Sequence, residues 1–546
     1  MAWKVEIQDK WKAMYVYYKT KHKKSGEWKT DRIYFGKIDV AAEILSDLVT
    51  NPLIDEQLVT YSGEAIIGKI ADDINLTNLI RKYTNEKNAG ILINTIILRT
   101  LFNESKMGLV ERILPFSVLR NETDIKYVGE VYRCMDSIYD HLDDFIYELA
   151  KNAVKKYKLD LSYLAIDGTG IKVYKDKETG MVKFGYPPDG LPQIKLVLGV
   201  NKQHVPLMGK CYPGNTSDVE TFEDIVNGLD SKYRELSKKS EKKYVVFDQG
   251  NLNKENIECM RGYEAGKIFF VSLAKPATAV RFIDKICKSE LKLIYERKIS
   301  EKDHTLIYGK PVKGKIYGKK CSILVCYNPD ICKKKNGTLD RRLKEVKNKL
   351  VEVNNSKKPD KTDVMALINK YHLKRAVSLK GKKQFELIVD DAEIEKRRKY
   401  FGFFVPFSND VRLGRGLIDI YKFRDTIEEG FRVLKTDMEI TPEHHSRDDR
   451  IETHNLLVVC GYLLLSILRV ILAAHGKQYS FAALKKLIVS GYLKEGYYKH
   501  KQFKNKQLWI SKPVGFRNEL NTIFSYLKIK TPEFDMDLMP INQRKN

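Results

Sequence analysis

The sequence predicts an α/β fold: a mixed sheet with flanking helices, interrupted by a β-rich insertion and preceded by a mostly helical region. Three observations predict it. Residues 163–166 and 244–247 are short apolar runs, and each stops at an acid closely followed by glycine, Asp167-Gly168 and Asp248-Gln249-Gly250. Such runs read as buried strands that end in a loop. Far downstream, Ile420, Phe423, Ile427, Phe431 and Leu434 recur at helical spacing and form one apolar stripe. Between these landmarks strand-like and helical patterns alternate, as they do in α/β sheets.

In chain order, residues 1–40 read as a basic, aromatic hairpin with its turn near Ser25-Gly26, where Trp3, Trp11, Tyr15, Tyr17, Tyr18 and Trp28 are interleaved with lysines. That mixture suits a half-buried hairpin with a solvated lysine face, and equally a surface that holds phosphates and stacks bases. Residues 41–158 carry helical spacing, as in "DVAAEILSDLV". The core domain begins over 159–274, with further strands at 193–200, 205–212 and 267–273 and a helix at about 219–229. Residues 275–412 mix strand-like segments with charged helices and form the insertion. The core resumes over 413–475 with the striped helix, and residues 476–546 read as a basic, helical C-terminal region.

Composition bounds the partners. Lys and Arg number 97 against 71 Asp and Glu, a net charge of +26 with a pI near 9.4, which is the footprint of a protein that binds a polyanion. Nucleic acid is the default partner, with binding that weakens as salt rises. The eight cysteines are scattered; Cys321, Cys326 and Cys332 have neither a CxxC pair nor a nearby His pair, so reduced thiols and a cytoplasmic setting are expected rather than zinc. Residues 455–474 are long and apolar enough to span a bilayer, with Arg469 the one charge, but they read as a buried core helix and no membrane is expected. The lysine-rich first thirty residues lack the apolar stretch of a signal peptide.

Beside the apolar stripe runs a polar one. Tyr421, Arg424, Glu428 and Lys435 lie three, four and seven apart, so at about 100° per residue they share a helical face. Alone, that face reads as a solvated surface. Asp167 and Asp248 change its meaning, because open α/β sheets gather ligands at the carboxyl ends of their strands. Three converging carboxylates repel one another unless a cation lies between them, and hard-oxygen ligands suit Mg²⁺, with Mn²⁺ able to substitute. Two such ions, with Arg424 and Lys435 on the phosphates, are the equipment of phosphodiester chemistry. Competing acids fare worse: Asp218 suits a helix cap, Glu429 is about 100° off the face, and Asp448 and Asp449 fall in a loop. His444-His445, adjacent in sequence, are not expected to converge on one ion.

The order Asp167, Asp248, Glu428, with Tyr-x2-Arg-x3-Glu-x6-Lys around the glutamate, resembles the DDE transposases of bacterial insertion sequences, in the insertion-sequence 4 superfamily branch defined by this YREK motif. "LAIDGTGIKVY", "GLPQIKLVLGV", "YPGNTSDVETF", "VVFDQGNLNKENI" and "DDRIETHNLLVVCGYLLL" resemble successive blocks of that branch, nearest the insertion-sequence 1634 group, from about residue 160 to about 474. The resemblance implies a ribonuclease H-like domain in which Asp167, Asp248 and Glu428 are catalytic and hold two Mg²⁺ ions, while Tyr421, Arg424 and Lys435 contact DNA. It implies double-stranded DNA as partner, both the terminal inverted repeats and the target, a homodimer in the synaptic complex, and a cytoplasmic, nucleoid-associated protein. It also implies that residues 41–158 bind the DNA end. Asp167 and Asp248 are 81 positions apart, Asp248 and Glu428 are 180, and a gap that long must hold extra structure. In the family such an insertion shapes the DNA end; here it contains no Trp, the four being at 3, 11, 28 and 509. A structure-directed nuclease on the same fold and a catalytically inactive DNA-binding derivative are the rival expectations.

Overall fold

The computed structural model describes residues 2–8, 13–24, 27–122, 125–185, 190–222, 224–225, 242–261, 268–300, 303–356, 358–381 and 384–541. Side chains of residues 1–32 lie outside what is described, and so does most of the helix expected near 219–229, of which 218–222 and 224–225 are helical.

A ten-stranded sheet organises the chain. Within it β5 (Tyr163–Lys172), third from one edge, is flanked on one side by β6 (Gln193–Asn201) and β7 (Pro206–Pro213) and on the other by β8 (Lys243–Phe247) and β9 (Ile268–Leu273). Strands β5, β6 and β7 run antiparallel in sequence, whereas β8 is parallel to β5 and β9 to β8. Every residue of β8 is buried, and of β6 all but the first, because both sheet faces are covered.

Each face has its own layer. On one, Leu164, Ile166, Val245, Phe247 and Phe270 join the core built around the helix Asp448–Ala474. On the other, Tyr244, Val246 and Val271 meet Leu417, Ile418 and Ile420 of the short helix Leu417–Lys422. The long helix is apolar and long enough to cross a membrane, yet 78% of its most apolar window is buried against the sheet and the N-terminal helices. Its Arg469 lies 3.6 Å from Glu429.

The segment between Asp248 and Glu428 does not stand apart from this sheet. Strands β10 (Lys292–Ser300), β11 (Asp303–Ile316) and β12 (Lys319–Tyr327) extend it. After β13 (Val377–Lys380), β14 (Glu386–Val389) and β15 (Phe403–Phe404), the chain returns as β16 (Pro406–Ser408), which fits between β12 and β9. Helices Pro329–Asn354 and Thr362–Lys370 close a small core of their own with β13.

The ends of the chain correct the sequence reading. Strands β1 (Ala2–Gln8), β2 (Ala13–Lys24) and β3 (Glu27–Lys37) form one antiparallel sheet, with Lys24 opposite Glu27; the two residues of the expected turn lie outside the described ones. The C-terminal region is not simply helical. "KEGYYKHKQFKNKQLW" runs from β17 (Tyr492–Tyr498) into β18 (Lys506–Val514), and with β19 (Asp535–Pro540) and β4 (Ile54–Thr60) these make a four-stranded sheet. The reason is alternation: Leu508 and Ile510 point into a core with Phe35 and Ile44, while Tyr497 pairs across to Trp509.

Candidate active site

Strand register brings the two aspartates together. Residues 163–166 of β5 pair in parallel with 244–247 of β8, ending at Ile166 opposite Phe247. Asp167 and Asp248 are the next pair, where β8 has just ended, and neighbouring strands lie about 4.8 Å apart. Residues at equal register in parallel strands project to the same face, so the two carboxylates lie side by side where β8 ends; β5 does not stop at Asp167 as expected but runs on to Lys172, paired with β6.

The third acid comes from helix packing. Ile420 is buried in one core, and Ile427, Phe431 and Leu434 in the other; each such side chain contributes roughly 1.5–3 kcal/mol. The helix is not one smooth rod. Leu417–Lys422 and Asp425–Arg432 are joined through a tight turn with i to i+3 bonds, Arg424 N to Tyr421 O at 3.0 Å and Ile427 N to Arg424 O at 3.1 Å, and Val433–Asp437 widens to a π turn.

At this join Arg424 reaches both sides. Its Nη1 is 2.9 Å from Asp248 Oδ1 and its Nη2 donates to Glu428 Oε1 at 2.7 Å. Glu428 is 57% exposed and Asp248 38%, so this is an open cleft rather than a sealed pair. Arg424 Nε is buried without a partner among the described residues. Asp167 is set deeper. Burial pushes its carboxyl up to about 6, helped by the charges of Asp248 and Asp218 and opposed by the Gly168 amide, which donates to Oδ1 at 2.8 Å, and by Arg424.

The remaining candidates take different places. Lys435 donates to Thr169 Oγ1 at 2.6 Å, two residues along β5 from Asp167; burial and then Lys172 lower its pKa. Tyr421 turns its ring toward Phe404, 5.9 Å between centroids, and lies against the Arg424 guanidinium; its burial raises its pKa to about 12. It braces Arg424 more than it faces solvent. Asp448 and Asp449, expected in a loop, instead open the long helix, and Asp448 accepts from Thr179 Oγ1 at 2.6 Å and Met181 N at 3.0 Å. Asp218 does not cap its helix by its side chain: the Ser217 hydroxyl accepts from Glu220 N, and Asp218 pairs with Lys195 at 2.6 Å. Lys195 and Thr169 lie inside the blocks "GLPQIKLVLGV" and "LAIDGTGIKVY", but no spacing singled either out.

His444 and His445 part company. His444 stacks on Tyr174, 4.7 Å between centroids, while His445 joins a sealed cluster around Glu443. Glu443 Oε1 accepts from the amides of His444 and His445, His454 Nε2 is 3.0 Å from Oε2, and the Lys106 ammonium contacts His454 Nδ1. The seven cysteines whose side chains are described are free thiols; Cys259 lies outside them.

Among the described residues no three His, Cys, Asp or Glu side chains close tightly enough to enclose a metal ion, and the Arg424 guanidinium lies between Asp248 and Glu428. The donor set nevertheless fits a hard divalent cation: three carboxylates, two of them open to water, and no soft ligand among them.

A family model for the transposase DDE domain matches residues 158–464, more than half of the chain. The chain belongs to this transposase family. The matched span takes in Asp167, Asp248, Arg424, Glu428 and Lys435, together with β16 and the insertion. No curated protein matches the chain. Among solved structures it is similar to a cryo-EM structure of a piggyBac transposase synaptic complex with hairpin DNA, at 9% identity and a TM-score of 0.37, over 80% of this chain and 82% of that one. DDE transposases use divalent metal ions, in keeping with the oxygen-only donor set of this cleft.

Proposed function

We propose that this chain is the transposase of a bacterial insertion sequence of the YREK branch, nearest the insertion-sequence 1634 group. It binds the terminal inverted repeats of its element, cleaves phosphodiester bonds at the element ends and joins the freed 3′-hydroxyls to target DNA. The observation that carries this reading is the side-by-side register of Asp167 and Asp248, with Glu428 tied to them through Arg424, in a chain of the DDE family. The strand order β7-β6-β5-β8-β9, antiparallel then parallel, supports a ribonuclease H-like core.

Asp167, Asp248 and Glu428 would hold two Mg²⁺ ions, with Mn²⁺ as substitute. Bound there, such ions activate the attacking water or hydroxyl and stabilise the departing oxygen. Arg424 has the planar fork that matches a phosphate and a buried Nε not otherwise engaged. Lys435 adds a point charge beside β5, and Tyr421 fixes the Arg424 side chain. The net charge of +26 supplies attraction to duplex DNA in general, without sequence preference. Residues 41–158 are the region we assign to DNA-end binding, a homodimer is the form we assign to the synaptic complex, and the nucleoid is its place of work.

The test is Mg²⁺-dependent nicking of inverted-repeat duplexes and formation of joined product. Cleavage and joining should vanish in Asp167→Ala, Asp248→Ala and Glu428→Ala. Nicking that persists in any of the three sinks the assignment, and cleavage without joined product would make the chain a nuclease instead.

A further inference from the structure

Lys195 stands in β6 opposite Gly170 of β5. Its side chain is 10% exposed and passes Gly168, where an added β-carbon would come within 2.8 Å of Lys195 Cε. The ammonium donates to the Thr216 carbonyl at 3.0 Å and to Asp218 Oδ1 at 2.6 Å. Asp218 turns its other oxygen to the turn that follows Asp248: a β-carbon on Gly250 would lie 2.7 Å from Oδ2. One Lys–Asp pair is therefore admitted by two glycines, one next to Asp167 and one two residues beyond Asp248.

Its neighbours leave the pair little other purpose. The helix start at 218 is already capped by Ser217, so the Asp218 carboxylate is not needed there. A nearly buried lysine in a strand loses hydration that its partner must offset, and an apolar side chain would fill the same space more favourably. The same segment also binds the element after the turn, since Asn256 Nδ2 donates to the Val219 carbonyl at 3.3 Å. Together these contacts pack Asn256 and the turn after Asp248 against the 216–219 segment, which Lys195 ties to β6.

We propose that Lys195 and Asp218 are positioning residues of the catalytic cleft, holding the turn after Asp248 against β5 so that the Asp248 carboxylate stays beside that of Asp167. This rests on the reading of Asp167 and Asp248 as the metal-holding acids. Asp218 acts through the backbone at Gly250 and Lys195 acts through Asp218.

The experiment uses the full chain. Mn²⁺ binding without DNA is followed by electron paramagnetic resonance, cleavage of an inverted-repeat duplex gives kcat and KM, and thermal melting monitors the fold. Asp218→Asn and Gly250→Ala should each weaken Mn²⁺ binding and lower kcat by about tenfold, with KM for DNA and melting unchanged; Asp218→Glu, which keeps the charge, should recover part of the loss. Lys195→Met should do the same if it folds, and Asp218→Asn, on a half-exposed side chain, keeps the test open if it does not. Wild-type Mn²⁺ affinity and kcat in both Asp218→Asn and Gly250→Ala would overturn the proposal, as would a change in KM alone. Asp167→Ala and Asp248→Ala serve as the reference: should they abolish binding and cleavage while the Asp218 variants do nothing, only the positioning role has failed. Should they too bind and cleave normally, the assignment of the acids fails with it.

Discussion

The cleft around Asp248 and the sealed cluster around Glu443 are built from the same kinds of residue, and burial gives them opposite character. In the cleft, Arg424 joins Asp248 and Glu428 where water reaches all three. In the cluster, Glu443 is 3% exposed and Lys106 and His454 are buried with it. Burial pulls Lys106 down to about 7, drives His454 well below its ordinary range and raises Glu443. Charge is suppressed in the cluster, whereas the side chains of the cleft stay open to water. The cluster ties the N-terminal helices to the core, helped by Arg99, whose Nη2 donates to the Met438 carbonyl at 2.6 Å. Open charge is available to a ligand, whereas sealed charge is committed to the fold.

Substitutions can break or sharpen this contrast. The largest effect is expected in the cleft: Glu428→Gln should slow inverted-repeat cleavage on the order of 10³-fold while its melting curve overlays that of the parent protein. The sealed cluster should behave the other way. Glu443→Ala leaves the amides of His444 and His445 and the His454 ring without their acceptor and should destabilise the chain by about 3 kcal/mol in urea denaturation, with kcat per folded molecule preserved. If that variant instead folds normally and cuts slowly, the division between the two regions is wrong.

Asp167 stands between the two extremes, and its pH dependence measures where. Its folded-state pKa is raised from 3.8 to about 6, chiefly by burial. A raised pKa means that the folded protein favours the protonated carboxyl. The associated stability is fully present below pH 3.8 and is lost as pH rises through about 6. In chelator, Asp167→Asn should therefore melt higher than the parent above that pH, with the difference closing toward pH 4. A pH-independent difference would show that burial does not set the ionisation of Asp167.

Smaller effects test the flanking cations and the neighbouring acid. Arg424→Ala should lower the slope of log affinity for DNA against log salt by about one, read by titrations at several salt concentrations, and Lys435→Ala should retain partial cleavage. Glu429→Gln loses the contact with Arg469 and should change stability by no more than about 1 kcal/mol without touching cleavage. Of two adjacent glutamates, only the one facing the cleft should matter to chemistry.

Much of this site was legible in the sequence because its parts follow local rules. The acid-glycine ending after 244–247 marked the end of β8, whereas β5 runs on through Asp167 to Lys172, and parallel pairing made Asp167 and Asp248 neighbours. Four of the five stripe residues from Ile420 to Leu434 proved buried and Phe423 half-buried, since helical spacing decides which face packs. What spacing does not encode is a change of helical pitch. The segment tightens at Arg424 and widens to a π turn over Val433–Asp437, where Lys435 reaches Thr169, while the Arg424–Glu428 contact is the i, i+4 pair that spacing does give. Lys195 was hidden for another reason: within an apolar run a single lysine looks like an interruption until its partner across the cleft is seen. The C-terminal strands were misread as helix because lysine-rich segments show little periodicity of any kind, and only burial of Leu508 and Ile510 reveals the alternation.

Strand β16 has a consequence for the birth of the protein. It fills the place beside β9 only after the chain has added three strands to the sheet, left it for the helices and β13–β14, and come back, and the Glu428 helix follows it. At about 5–20 residues per second on the ribosome, the 180 positions between Asp248 and Glu428 occupy on the order of 10–35 s. Through that interval the nascent polypeptide owns two acids and lacks the third. The three-acid cleft is therefore complete only when synthesis of the chain is more than three-quarters done.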